Sequence, residues 1–122
     1  MQFDYQDQIV LITGAAGGFG RLAAAEFARA GAKLVLCDLN AEKLDELTAS
    51  LPDADAISEA GDVSEDETHR RLVARAMEQH GRLDVAINNA GVAHAFTKIT
   101  ETDNAVMPQM LAVNVFGVFL AM

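Results

Sequence analysis

The chain has no tryptophan, one tyrosine, one cysteine and two prolines in 122 residues. A single cysteine excludes an internal disulfide framework and suits a reducing compartment, so a cytoplasmic location is expected. Cys37 stands in an apolar run, where a small buried core residue is the plainer reading than a nucleophile. Basic residues are scarce as well: nine Lys and Arg against eighteen Asp and Glu give a formal charge of −9. They are scattered, so the clustered basic face that a nucleic-acid backbone needs is missing. His69, His80 and His94 lack metal-ligand spacing, and no metal is expected. The N-terminal MQFDYQDQ has neither a basic n-region nor an apolar h-region, so no secretory signal is expected there.

What is present is a hydrophobic half: 51% of residues are apolar, enough for a real core in a chain of this length. One long apolar segment, AVMPQMLAVNVFGVFLAM (105–122), has the composition of a membrane span. Pro108, Gln109, Asn114 and Gly117 interrupt it and no positive flank follows. A helix buried on several sides is therefore expected, and no membrane partner.

Apolar runs and amphipathic segments alternate. QIVLIT (8–13) and AKLVLCD (32–38) are apolar throughout, as strands covered on both faces are. DAISEAGD (55–62) reads as a weaker strand and LDVAIN (83–88) as a further buried one. Helical periods run from Phe19 to Ala30, with Gly31 at the C-cap, and through AEKLDELTASL behind the N-cap Asn40. In the first of these helices Ala23, Phe27 and Ala30 share the inward face, with Arg21, Glu26 and Arg29 outside. SEDE (64–67) offers a capping box in which Ser64 starts a helix and Glu67 reaches back. In that helix His69, Leu72, Val73, Ala76 and Met77 share one face, and Gly81 closes it. A last helix begins near Asp103, with Pro108 expected to bend or delay it. The order is β-α-β-α-β-α-β-α, which implies an α/β fold: a doubly wound parallel sheet of Rossmann type with helices on both faces.

VLITGAAGGFG (10–20) places four glycines within seven positions, directly after the first strand. Ligands in such sheets bind at the carboxyl ends of the strands. A phosphate there meets unpaired backbone N–H groups and the positive end of a helix. Gly14 permits the sharp turn, Gly18 lets the backbone approach a pyrophosphate, and Gly20 lets the helix pack on the strand. The plain alternative is a flexible turn with no ligand. Asp38 ends the second strand at the spacing where an acid meets an adenosine ribose. Its carboxylate would repel a 2′-phosphate, and no basic side chain stands in the loop or just after Asp38. That favours NAD over NADP. Capping of the next helix is the alternative role for Asp38.

With these residues in view, the chain resembles the short-chain dehydrogenase/reductase family. TGAAGGFG (13–20) looks like that family's cofactor loop and GDV (61–63) like its adenine-contacting segment. NNAG (88–91) matches its motif after the fourth strand, and VNVFG (113–117) the stretch that carries its active-site Asn. The resemblance implies that Gly14, Gly17 and Phe19 line the pyrophosphate, where the family more often has Ile or Leu at the last. It implies Asp38 and Leu39 at the adenine ribose, Asp62 and Val63 at the adenine, and Asn89, Ala90 and Gly91 at the nicotinamide ribose. Asn88 would steady the loop through its side chain, with Thr13. Asn114 would hold a water in the proton relay.

The same resemblance implies a hydride exchanged between NAD and an alcohol or ketone, in a protein that forms homo-oligomers. It also marks an absence. The family's catalytic Ser and Tyr-x-x-x-Lys follow well after the active-site Asn, and the single tyrosine here, Tyr5, has Ile9 four residues on. The expectation is that residues 1–122 form the N-terminal, cofactor-binding part of a single-domain fold, whose sheet is incomplete and which is inactive alone. Taken by itself such a chain should aggregate, self-associate or need its other half. His94, three residues past NNAG, is expected to be a surface loop residue. Two other readings stay open: a nucleotide-binding module without catalysis, and an S-adenosylmethionine-dependent methyltransferase, against which NNAG and Thr13 argue.

Overall fold

The structure, a computed structural model, describes residues 3–122. Met1 and Gln2, and with them the start of the stretch read for a signal, lie outside the described residues. Four parallel strands, β1 (Ile9–Thr13), β2 (Lys33–Asp38), β3 (Ala56–Ala60) and β4 (Val85–Ile87), form one sheet in the order β3-β2-β1-β4. Helices α1 (Gly18–Arg29), α2 (Ala41–Ala49) and α3 (Asp66–His80) make the crossovers. This is the doubly wound parallel arrangement that the alternation of elements implies.

Period-2 geometry divides the strand residues between two cores. Val10, Ile12, Leu34 and Leu36 pack with Ala24 of α1 and Leu44 and Leu47 of α2 on one face. Ile9, Leu11, Val35 and Cys37 pack with Leu72 and Ala76 of α3 on the other. Each helix thus buries a narrow stripe, and the central strands β1 and β2 are covered on both sides. Burying one such leucine contributes about 1.5–3 kcal/mol. The edge strand β4 is short, and its Ala86 is exposed. LDVAIN is therefore not the fully buried strand its composition suggests: β1 flanks it on one side and no other strand does among the described residues. Asp84 fixes its place, its carboxylate accepting the Ile9 N–H at 2.8 Å.

Three further helical expectations change in detail. Along α1 the buried residues are Gly20 and Ala24, with Ala23 and Phe27 partly buried beside them. Ser64 does not cap α3: the N-cap is Glu65, with no side-chain bond, because Ser64 turns back to Asp62. Val73 and Met77 lie half in solvent, because α3 meets the sheet along Thr68, His69, Leu72 and Ala76 instead. Gly81 does close that helix, at φ +74°.

The last segment is helical from Asn104 to Ala121. Asp103 caps it, its side chain accepting from Ala105 N, and a 3₁₀ turn (Asn104–Val106) leads into α4 (Met107–Leu111). Pro108 sits in the first turn of α4, where its missing N–H costs least. A π-helical turn, Ala112–Phe116, separates α4 from α5 (Gly117–Ala121). By length and composition this helix could cross a membrane. The expectation that it is buried on several sides does not hold in the described residues: only 6% of the apolar window is buried. It rests on the 61–63 segment, on α3 and, through Asn114, on the backbone of Val92, and Gly117 is its one buried residue.

Candidate functional site

The strand register sets the site. Thr13 is level with Cys37, Asp38 with Ala60, and Ile12 with Ile87. Four loops therefore leave the sheet side by side: 14–17, 39–40, 61–65 and 88–92. The chain enters β1 in mid-sheet, builds outward to β3, then crosses back to β4. That reversal opens a crevice between the loops after β1 and β4.

A cavity of about 210 Å³ occupies it. Gly14, Asp38, Leu39, Asp62, Val63, Ala90 and Gly91 all lie on its wall, so residues singled out from four separate motifs meet in one place. Gly61, Val92, Gln109 and Val113 complete the wall. Sequence reasoning missed the last three, since nothing marks an apolar or amide side chain of a loop or helix as groove-lining before the helix direction is known. Gly17, Gly18, Phe19, Gly20, Asn89 and Asn114 are not on that wall.

The glycine loop is tight at two points and open at a third. Gly14 has φ +62°, and a Cβ there would stand 2.8 Å from Ala90 Cα. A Cβ at Gly20 would meet the Gly14 carbonyl oxygen at 2.1 Å. A Cβ on Gly18 would meet nothing within 4 Å. So Gly14 and Gly20 are required by the fold, whereas Gly18 faces free space. No side chain caps α1 at Gly17, which leaves the N–H groups of its first turn open to an anion. Phe19 projects outward beside them, 84% exposed.

Asp38 does not cap α2. Asn40 does, its Oδ1 accepting from Lys43 N at 3.0 Å. The Asp38 carboxylate instead accepts the Ala16 N–H at 3.0 Å and the Asn40 N–H at 3.1 Å. Each oxygen keeps a lone pair for a hydroxyl donor, and both are held in place by backbone. Arg21 was expected on the outer face; it folds back, Nε donating to the Ala16 carbonyl at 2.9 Å and Nη2 reaching the Lys43 carbonyl and Glu46. Ala16 is thus held at both its N–H and its carbonyl. Its spacing from the loop could have signalled this, but the direction of a long side chain is not read from periodicity.

The NNAG segment corrects one assignment. Asn89, not Asn88, steadies the loop. Its side-chain amide donates to the carbonyls of Thr13 and Gly14, both at 3.2 Å. The N–H groups of Asn89 and Ala90 donate to Thr13 Oγ1, each at 3.1 Å. Both asparagines lie past the end of β4, where the Asn89 N–H also turns back to the Ile87 carbonyl at 3.0 Å, and it is Asn89 that the chain brings against Thr13 and Gly14. The Oδ1 of Asn88 is buried without a partner among the described residues.

Asn114 lies in the π turn, and its side chain grips the Val92 backbone. Oδ1 accepts the Val92 N–H and Nδ2 donates to the Val92 carbonyl, both at 2.8 Å. One N–H and one lone pair of the amide remain. Asp62 accepts the Ser64 hydroxyl at 2.7 Å and the Ser64 N–H at 2.9 Å. These bonds hold its carboxyl below the usual carboxylate range, the hydroxyl contributing most.

The remaining candidates lie elsewhere. Cys37 is fully buried, and burial, with the charges of Asp38 and Glu59, pushes its thiol up to about 12. It is a core residue. Tyr5 packs edge-on against Phe27 at 4.8 Å, a structural contact. His94 is exposed, and among the described residues its ring bonds only the neighbouring Ala95 carbonyl.

Comparison with known proteins agrees with this geometry. The family described as short chain dehydrogenase matches residues 8–122. A meso-2,3-butanediol dehydrogenase of Serratia marcescens is 37% identical over 118 residues, covering 97% of this chain and 46% of that protein. A short-chain dehydrogenase/reductase structure from Brucella melitensis, described as a glucose/ribitol dehydrogenase, superposes with TM-score 0.92. It is 35% identical, over 99% of this chain and 52% of that one. A Burkholderia phymatum short-chain dehydrogenase/reductase in complex with NAD superposes with TM-score 0.89 and 33% identity, over 98% and 43%. The chain spans about half the length of most curated relatives it matches. The motifs, the strand order and these likenesses agree: the chain belongs to the short-chain dehydrogenase/reductase family of oxidoreductases.

Proposed function

We propose that this chain carries the cofactor site of an NAD-dependent oxidoreductase that interconverts an alcohol and a carbonyl compound. The observation that carries the reading is the meeting of Gly14, Asp38, Asp62 and Gly91 on one groove. The residues fit a dinucleotide. The open first turn of α1 and the space at Gly18 suit a pyrophosphate, with Gly17, Phe19 and Gly20 around it. Asp38 and Leu39 take the adenine ribose, Asp62 and Val63 the adenine, and Asn89, Ala90 and Gly91 the nicotinamide ribose. Asn89 works through the backbone here, since its side chain is engaged with the loop.

Bound there, NAD supplies the hydride acceptor. The chain's own part is to orient it and to shape the groove. Asn114 fixes residue 92 and has one N–H and one lone pair left for the water of a proton relay. The proton donor itself, and the residues that choose the alcohol, belong to segments beyond residue 122 in this reading.

Asp38 supports NAD over NADP. Its carboxylate would accept ribose hydroxyls and repel a 2′-phosphate. Arg21, which bonds the carbonyl of Ala16 in this loop, is already shared among Ala16, Lys43 and Glu46. The exposed apolar residues Leu111, Val115, Phe116 and Phe119 support assembly into a homo-oligomer rather than a membrane span, because Gly117 and Asn114 pack that helix onto the groove's own loops. Titration of NADH, followed by nicotinamide fluorescence, tests the reading. Saturable binding that S-adenosylhomocysteine does not displace is expected; binding of S-adenosylhomocysteine alone would overturn it in favour of a methyltransferase.

A further inference from the structure

His69 is a buried polar ring on a helix face that also buries Thr68, Leu72 and Ala76. An apolar residue would satisfy that stripe, so the imidazole asks for another explanation. Its Nε2 lies 2.7 Å from the carbonyl oxygen of Val63. A carbonyl only accepts, so Nε2 carries the proton. Val63 is buried and lies on the wall of the cofactor groove beside Asp62. The same carbonyl faces Gly117, where a Cβ would stand 3.0 Å away. With helix packing on one side and α3 on the other, little room is left for water, and a buried carbonyl without a donor is costly.

The neighbouring residues show the same dependence of the 61–65 loop on α3. A Cβ on Gly61 would meet Thr68 Cγ2 at 2.6 Å, so the loop lies hard against the first turn of the helix. Residue Glu65 caps α3 without a side-chain bond, and Ser64 is committed to Asp62. His69 is therefore the side chain from the body of the fold that fixes the Val63 peptide, and with it the height at which Asp62 presents its carboxylate to the groove.

We propose that His69 is a positioning residue for selectivity at the base end of the dinucleotide. This rests on the dinucleotide reading above. Asp62 offers acceptors only, so a base with an amino donor at its six-position is favoured and one with an oxo group there is repelled. That discrimination needs the carboxylate at a fixed place. Without the His69 donor, the Val63 carbonyl must find water, and the Asp62–Val63 segment shifts.

The test compares NADH with its hypoxanthine analogue, nicotinamide hypoxanthine dinucleotide, by calorimetry on the chain and its variants. The unsubstituted chain is expected to prefer NADH. His69→Leu, similar in bulk but without a donor, is expected to narrow that preference about tenfold, the scale of one hydrogen bond. His69→Gln, whose amide nitrogen reaches the place of Nε2, is expected to keep it. An unchanged ratio in His69→Leu, or an equal loss for both dinucleotides, would overturn the proposal while leaving the dinucleotide reading intact. Equal binding of the two by the unsubstituted chain would do the same. Failure of that chain to bind either dinucleotide while folded by circular dichroism would end the dinucleotide reading, and this proposal with it. Should His69→Leu not fold, His69→Asn, whose donor is too short to reach, takes its place in the comparison.

Discussion

The side-chain amide of Asn89 donates to the carbonyl oxygen of Gly14 at 3.2 Å, joining two loops 75 residues apart in sequence. With its second bond to Thr13, it ties the end of β4 to the turn after β1. Asn89→Ala removes both bonds and leaves two half-buried carbonyls without that donor. A loss of about 1–3 kcal/mol in urea unfolding is expected. Asn89→Asp should cost more, since it sets a carboxylate against two carbonyl oxygens. Equal stability of Asn89→Asp and the unsubstituted chain would contradict this role.

Gly20 and Gly18 separate what the fold requires from what a ligand requires. A Cβ at Gly20 has no room, being 2.1 Å from the Gly14 oxygen, and the obstacle is backbone rather than a flexible side chain. Gly20→Ala should therefore lower stability by at least about 1–3 kcal/mol. Gly18→Ala meets nothing, so its thermal midpoint should stay within a degree or two of the parent or rise slightly through lower chain entropy (about 0.4–1 kcal/mol). Its NADH affinity should fall all the same if the proposed site is right, because the methyl would enter the space assigned there to the pyrophosphate. Calorimetry and NADH titration on the two variants check both halves.

Asp62 gives the site an acid-side dependence. Its folded-state pKa lies below the ordinary 3.8, chiefly through the Ser64 hydroxyl. A depressed carboxylate contributes stability above its unfolded value and loses it as pH falls through the folded value. The contribution is thus complete above about pH 4–5 and fades in more acid solution. Ser64→Ala removes the largest cause, so the Asp62 carboxyl should titrate at higher pH by NMR, with the backbone bond retaining part of the depression. An unchanged titration would show that the Ser64 hydroxyl does not hold the carboxylate.

Much of this architecture was legible in the residues. The apolar runs at 9–13 and 33–38, the caps at Asn40 and Gly81 and the glycine loop are local signals with local causes. The errors have other causes, most of them a neighbour far away in sequence. Which of Asn88 and Asn89 faces the loop is decided past the end of β4, where the chain turns and Asn89 meets Thr13 and Gly14. Ser64 had two acceptable bonds, and Asp62 took it from the helix start. Val73 and Met77 fit the helical period as well as His69 and Leu72 do, and only the angle of α3 across the sheet decides between them. The segment 105–122 is apolar enough for a core, yet burial depends on what surrounds it rather than on composition.

The central claim is that the loop at 13–20 and Asp38 together cradle NAD. Isothermal titration of NADH and NADPH into the chain and into Asp38→Ala tests it most directly. NADH should bind the unsubstituted chain more tightly than NADPH, and Asp38→Ala should narrow the gap by about tenfold, ~1.4 kcal/mol. NADPH binding as tightly as NADH, or no binding of either by a chain that circular dichroism shows to be folded, would contradict it.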